Sequence, residues 1–212
     1  DFNSASQVWL VASGTYPWTR AIDDTKYEDA KFYVIYSSAT DRTTPANLQT
    51  AVSSRTFTVD RSSPTSSVLA PTDNSIIKTL SQITGNASDT VSDVKDGATK
   101  VMITYLAGAT TNYWTGSIWT TTESTASTTG KDTWQIAAPA GLDERSQNRF
   151  YVKSVAEDNV GLRQVTNNTK SFIYDVTAPT SAVTLPVGSG TNYYGPSKQL
   201  PTISGTSNDP YS

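Results

Sequence analysis

The sequence predicts an all-β protein made of β-sandwich domains in tandem, and three observations support this class. Ser, Thr, Gly, Asn and Asp dominate the composition, with eleven tyrosines and five tryptophans among the apolar residues. Leucine is scarce and heptad-like periodicity is missing, whereas threonine, valine and aromatic residues favour pleated, half-buried surfaces. The chain also repeats itself after about 115 residues, a length that suits one independently folded sandwich domain.

The repeat is clearest where "FTVDRSSPTSSVLAP" at 57–71 returns as "FIYDVTAPTSAVTLP" at 172–186. Four residues of this stretch recur 115 positions later: Asp60, Pro64, Val68 and Pro71 as Asp175, Pro179, Val183 and Pro186. Because proline restricts its own φ and biases the preceding residue to extended conformations, these stretches predict short, stiff connections between domains. The predicted domains are therefore 1–60 (the later part of one repeat), 61–175 (a complete repeat) and 176–212 (the opening of a third).

About seven strands are expected in the complete repeat. A broken first strand covers 66–69 and 76–80, and the next strand covers 82–88. An alternating strand at 100–106 is followed by a hairpin at 112–120, whose tip is Thr115-Gly116-Ser117. Strands at 133–137, 150–157 and 169–175 complete the domain.

Period-two alternation predicts which side chains fill the core of this repeat. In the 150–157 strand, Phe150, Val152, Ser154 and Ala156 fall on one face. The same reasoning applied to the other strands predicts a core centred on eight residues: Val101, Ile103, Trp134, Ile136, Phe150, Val152, Ala156 and Phe172.

Composition also excludes several classes of function. The chain has no cysteine and no histidine, which removes disulfides, thiolate chemistry, Cys/His zinc sites and histidine-based triads. The formal net charge of −3 and the lack of a basic cluster argue against nucleic-acid binding. No apolar run approaches the ~20 residues that a membrane-spanning helix needs.

Four motifs stand out in the complete repeat and its junction: "YWTGSIW", a later "TW", "FYVKSVAEDNVG" and "FIYDVTAPTSAVTLP". Together they resemble the bacterial Ig-like (Big-type) repeats that are strung through very large surface proteins and adhesins. The matching positions are Phe150, Val152, Ala156, Asp158 and Gly161 in the strand and its turn, and Asp175, Ala178 and Pro179 in the linker. The resemblance implies tandem Ig-like β-sandwich domains on an extracellular or cell-surface protein.

Loop carboxylates are the first candidate site. Asp89, Asp93 and Asp158 follow predicted strands and Asp175 lies at a junction, so these four residues are candidate calcium ligands. The alternative is that Asp side chains here make turns with their own backbone. Because no dense Asp-x-Asp-x-Asp spacing is present, the turn interpretation predicts that chelating calcium changes little in the fold.

The other candidates are aromatic residues and glycosylation sequons. Trp114, Tyr113 and Trp119 lie in one hairpin and could form a flat carbohydrate-stacking platform, although tryptophan more often fills a core. Asn86 and Asn167 each begin an N-glycosylation sequon, a pattern that also arises by chance in a Ser/Thr-rich chain.

These observations favour a structural stalk or fibre segment of a microbial surface protein, without a cofactor unless calcium binds. The alternative is a carbohydrate- or receptor-binding module of an adhesin or secreted enzyme; an enzyme active site is the least supported class. Expected partners are neighbouring Ig-like repeats of the same or adjacent chains, and surface glycans for the alternative. The partial repeats lead us to expect an excerpt of a longer fibrous protein, or completion by strands of a neighbouring copy.

Overall fold

The chain is all-β, as predicted. The computed structural model describes residues 8–166, 168–188, 190 and 192–211. Two single-turn 3-10 helices, Asp24–Lys26 and Asp143–Arg145, accompany the strands. The strands are β1 Phe32–Ser37, β2 Ser53–Thr58, β3 Thr65–Ala70, β4 Ser75–Ile77, β5 Gln82–Ser88, β6 Lys100–Ala107, β7 Thr110–Trp114, β8 Trp119–Thr120, β9 Ala126–Ser127, β10 Thr133–Ala137, β11 Arg149–Val155, β12 Thr169–Tyr174, β13 Thr180–Leu185 and β14 Ser204–Asn208.

The middle unit, 61–175, is built from two sheets. One sheet has the order β10-β5-β3, and the other has the order β4-β12-β11-β6-β7-β8 with β9 paired to β6. All pairs are antiparallel except β12 with β4, which is parallel. The sheets face each other across a shared core, and the Ser66 hydroxyl of β3 donates to the Ser154 hydroxyl of β11 at 2.8 Å across the gap.

The predicted core is confirmed at seven of its eight positions, which are buried; Ile136 is half-buried. Burial alternates along β11, with Phe150, Val152 and Ser154 inward. The rings of Phe150 and Phe172 stack with their centroids 5.2 Å apart. These residues form one contiguous apolar cluster from both sheets, as one domain core requires.

Most predicted strands also agree with the structure. The 112–120 hairpin is formed by β7 and β8, with Trp114 opposite Trp119. The second piece of the broken first strand is shorter than expected, since β4 covers only Ser75–Ile77. The two-residue strand β9 has no counterpart in the prediction.

The flanking segments repeat the strand pairings of the middle unit. In the first unit (residues 8–60), Tyr33 of β1 lies opposite Phe57 of β2, as Phe150 lies opposite Phe172. In the third unit (residues 176–211, as far as described), Val183 of β13 lies opposite Gly205 of β14, as Val68 lies opposite Gly85. The strand register shifts directly after the valine in both pairings, after Val183 in β13 and after Val68 in β3.

Loops outside the strands repeat as well. The bridge between Ser13 and Thr19 recurs 116 positions later between Thr129 and Gln135. The bridge between Thr40 and Leu48 corresponds to that between Glu157 and Arg163. The sequence repeat is therefore also a repeat of backbone pairing.

Candidate metal centre

Three acidic residues converge at the end of the middle unit that faces the first unit. Asp60 precedes β3, Asp89 follows β5 and Asp158 follows β11. Thr65 at the start of β3 lies opposite Ser88 at the end of β5, so the antiparallel pairing brings the first two acids to one end. One carboxylate oxygen from each of the three lies within 4.8 Å of the others.

One oxygen of each carboxylate organises a local turn. Asp89 Oδ1 accepts the backbone N–H groups of Val91, Ser92 and Asp93 at 2.9, 2.9 and 3.1 Å. The other two carboxylates also accept backbone N–H groups, but fewer of them. Asp158 Oδ1 accepts the N–H groups of Val160 at 2.9 Å and Leu162 at 2.8 Å, and Asp60 Oδ1 accepts that of Ser62 at 3.0 Å. The turn interpretation is therefore confirmed for these atoms.

In two of the three residues, the second carboxylate oxygen is buried and accepts no hydrogen bond. Asp158 is fully buried, and its Oδ2 atom is enclosed without a hydrogen-bond partner. Asp60 Oδ2 is likewise enclosed and unpartnered. Buried polar atoms almost always have a partner, and a carboxylate oxygen without one is costly.

No positive side chain compensates this charge within the described part of the chain, because none of its ion pairs involves Asp60, Asp89 or Asp158. Carboxylate oxygens are hard ligands, and calcium and magnesium are the cations that prefer them. The arrangement can therefore hold a divalent cation.

Two of the four predicted ligands lie elsewhere. Asp93 pairs with the Lys131 ammonium and accepts the Val94 N–H at 2.9 Å; the hydrogen bond from Lys131 is the main reason that the pKa of Asp93 is lowered. Asp175 follows β12, which runs antiparallel to β11, so it lies at the opposite end of the unit from Asp158. Sequence reasoning left Asp60 out of the ligand set, although its recurrence as Asp175 marked it as a junction residue.

The aromatic hairpin packs on the core. Trp114 is only 4% exposed, and Trp119 and Tyr113 are half-buried. The Trp119 ring meets Tyr105 edge-on at 4.9 Å, and its indole N–H donates to the Ala140 carbonyl at 3.0 Å. A stacking platform needs open ring faces in one plane, so this packing favours the core interpretation of these residues.

The two sequons fall in different situations. Asn86 lies within β5 with an exposed side chain. Asn167 lies outside the described residues. An exposed amide is accessible for glycosylation, but Asn86 sits on a strand and not on the loop where sequons are most readily modified.

Comparisons of the chain with protein-family models and with curated proteins find no match. In the described part of the chain, no helix has the length and apolar character needed to cross a membrane.

Proposed function

We propose that this chain is a structural stalk or fibre segment of an extracellular or cell-surface protein, built from Ig-like β-sandwich repeats in series. Its role is mechanical: each unit adds length, and the contacts between units hold direction. The proposal gives the chain no catalytic role. The observation that carries it is a hydrogen-bonded clamp that is built in the same way at two successive junctions.

At the first junction the clamp is centred on Asp29. Its carboxylate accepts the Arg61 backbone N–H at 2.6 Å and the Ser62 hydroxyl at 2.5 Å. The Arg61 guanidinium donates in turn to the Asp24 carbonyl at 2.6 Å. These contacts tie the first unit to the segment that enters β3.

At the second junction Ser146 takes the place of Asp29. Its hydroxyl oxygen accepts the Val176 backbone N–H at 3.0 Å and lies 3.2 Å from the Thr177 hydroxyl. Val176 and Thr177 stand 115 positions after Arg61 and Ser62 in the repeat. Because the same backbone group is held at both junctions by different residue types, the contact is a property of the architecture and not of one sequence.

The strand order of the middle unit supports the Ig-like assignment. In Ig-like sandwiches the first, second and fifth strands share one sheet, and the third, sixth and seventh share the other. With β3 and β4 counted as a broken first strand, the first sheet contains β3, β5 and β10. The second contains β6, β11 and β12 together with β4 and the β7–β8 hairpin. The hairpin lies beside β6, where the variable-type sandwich adds strands, and the described first sheet lacks the fourth strand of the Ig pattern.

Distance measurements across the first junction test this function. The chain has no cysteine, so Ser54→Cys in β2 and Thr110→Cys in β7, both exposed, allow two spin labels to be attached selectively. We expect a narrow distance distribution for the parent chain and a broad one after Asp29→Ala, because that change removes both clamp acceptors. Asp23→Ala is the matched control, since among the described residues the Asp23 side chain bonds only within its own turn, to Thr25 and Lys26. A distribution already broad in the parent chain would contradict the stalk role.

Acid should loosen the first junction. The Ser62 hydroxyl, followed by the Arg61 N–H, lowers the pKa of Asp29, because both stabilise its charged form. The clamped state therefore binds fewer protons than the open one. Its stabilisation is present above the ordinary aspartate pKa of about 3.9 and is lost as the pH falls through the lowered value.

The second junction supplies the internal control for this pH dependence. Each junction has a linker aspartate that accepts a backbone N–H, Asp60 in the first and Asp175 in the second, and Asp175 also accepts the Ser146 hydroxyl at 3.3 Å. The two junctions differ in the clamp residue, because Ser146 has no charge to lose. Labels at Thr110→Cys and Ser181→Cys should therefore keep their distance distribution as the pH falls. We expect the Ser54–Thr110 pair alone to broaden below about pH 4. Equal broadening of both pairs would show general acid unfolding and not titration of the clamp.

A further inference from the structure

We propose that Asp60, Asp89 and Asp158 bind one Ca²⁺ ion that joins the linker to both sheets of the middle unit. The binding site itself stands on the geometry of the carboxylates. The consequence for the junction rests on the proposed structural function.

The strongest pointer to a ligand is the buried carboxylate of Asp158. Its Oδ1 atom is committed to the turn after β11, while its Oδ2 atom is enclosed and accepts no hydrogen bond. Asp60 shows the same division between its two oxygens. Turn formation therefore explains only one oxygen of each residue, and a cation would satisfy the other.

The spacing of the three oxygens fits one ion. Calcium binds oxygen at 2.3–2.6 Å, so two oxygens on the same ion can be separated by up to about 5 Å. The three carboxylate oxygens lie within 4.8 Å of one another. Magnesium demands near-ideal octahedral geometry and gives up its water reluctantly, whereas calcium accepts irregular sites completed by carbonyl oxygens and water. Ligands from three separate loops favour calcium.

The position of the ligands determines what the ion does. Asp89 follows a strand of the three-stranded sheet, and Asp158 follows a strand of the larger sheet. Asp60 belongs to the linker and also accepts the N–H of Ser62, whose hydroxyl donates to Asp29 in the clamp. An ion held by all three orients the linker residue next to the clamp.

The same ligand positions recur in the flanking units. Asp175 corresponds to Asp60, and its Oδ1 accepts the Thr177 N–H at 2.9 Å. Asp209 corresponds to Asp89, and its Oδ1 accepts the Tyr211 N–H at 3.1 Å. Asp41 in the first unit corresponds to Asp158, and the Oδ1 atom of Asp41 accepts the Asn47 N–H at 2.8 Å. The three ligand positions therefore recur with the repeat, and the described residues bring all three together once, at the first junction. In the first unit the second oxygen of Asp41 is already occupied, because it accepts the Asn47 side-chain amide at 2.7 Å.

Calorimetric titration of Ca²⁺ into the metal-free full chain tests the site directly. We expect saturable binding with a dissociation constant of about 10⁻⁴–10⁻³ M, the range of extracellular calcium modules. Asp158→Asn and Asp60→Asn should each weaken binding at least about tenfold, because site affinity follows the number of charged ligands. Asp96→Asn is the matched control: it removes one exposed carboxylate from the loop that follows Asp89 and should leave binding unchanged.

Thermal melting supplies a second readout. For a metal site, the difference in melting temperature between Asp158→Asn and the parent chain should change sign when Ca²⁺ replaces chelator. Asparagine keeps the Oδ1 acceptor of the turn, so Asp158→Asn should fold. In chelator this variant should melt higher than the parent chain, since it relieves repulsion among three carboxylates; in millimolar Ca²⁺ it should melt lower. No binding of Ca²⁺ at 10 mM, or binding unchanged by both Asp variants, would overturn the site.

The spin-label distances separate failure of this inference from failure of the structural function. Ca²⁺ binding together with a narrow Ser54–Thr110 distribution supports both. A narrow distribution without Ca²⁺ binding would overturn the metal site and leave the stalk role standing. A broad distribution in saturating Ca²⁺ would overturn the stalk role, and the titration would still decide the site.

Discussion

Replacing Gly85 with alanine is expected to lower the free energy of unfolding of the middle unit by about 3 kcal/mol or more, at the upper end of what overpacking a core costs. A Cβ atom at this position would lie 2.0 Å from Cζ2 of the Trp134 ring and 2.1 Å from the Ser67 carbonyl oxygen. Neither neighbour can move aside. Trp134 is fully buried and its indole N–H donates to the Asn86 carbonyl at 3.1 Å, while Ser67 is backbone in the adjacent strand β3.

Urea unfolding followed by tryptophan fluorescence measures this loss. Asn86→Ala is the control, because it changes the next residue of β5, has an exposed side chain and keeps the backbone carbonyl that Trp134 uses. That control should stay within about 0.5 kcal/mol of the parent chain. An equal midpoint for Gly85→Ala and the parent chain would show that Trp134 does not pack against β5 as described.

The close approach of Trp134 to Gly85 illustrates what the sequence could predict. Period-two alternation predicted Trp134 as a core residue, and it is fully buried. That Gly85 lies beneath the ring could not be predicted, because period-two alternation assigns a face to a side chain and not a partner. The same limit explains why the parallel pairing of β4 with β12 and the short strand β9 were not predicted.

The candidate metal centre depends even more on tertiary structure. Its ligands come from positions 60, 89 and 158, so local spacing along the chain contains no metal-binding motif. Sequence alone could not separate Asp89 from Asp93, four residues apart. In the structure Asp89 joins the cluster, while Asp93 turns to Lys131, which is remote in sequence. Loop residues that look equivalent in a sequence differ by which distant group reaches them.

Replacing Phe150 with alanine is expected to cost about 3–5 kcal/mol of stability in the middle unit, the range for removing a large aromatic side chain from a core. Phe150 is fully buried at the centre of the aromatic cluster. Its ring stacks on Phe172 at 5.2 Å and lies 5.5 Å from Tyr105 and 5.9 Å from Trp119. Removing the ring therefore leaves a cavity that three other aromatic side chains line, and their own packing holds them from closing it.

Two further variants, Tyr151→Ala and Tyr33→Ala, are compared with Phe150→Ala. The free energy of unfolding of all three is measured by urea unfolding monitored by circular dichroism. Tyr151→Ala changes the neighbouring residue on the outer face of β11 and should cost about 1 kcal/mol or less. Tyr33→Ala removes the repeat-equivalent ring, which stacks on Phe57 at 5.4 Å but is only half-buried. The loss of stability should be smaller than for Phe150→Ala, because folding removes less apolar surface of Tyr33 from water. If Phe150→Ala and Tyr151→Ala destabilised the unit equally, the inward face of β11 would be assigned wrongly by one residue.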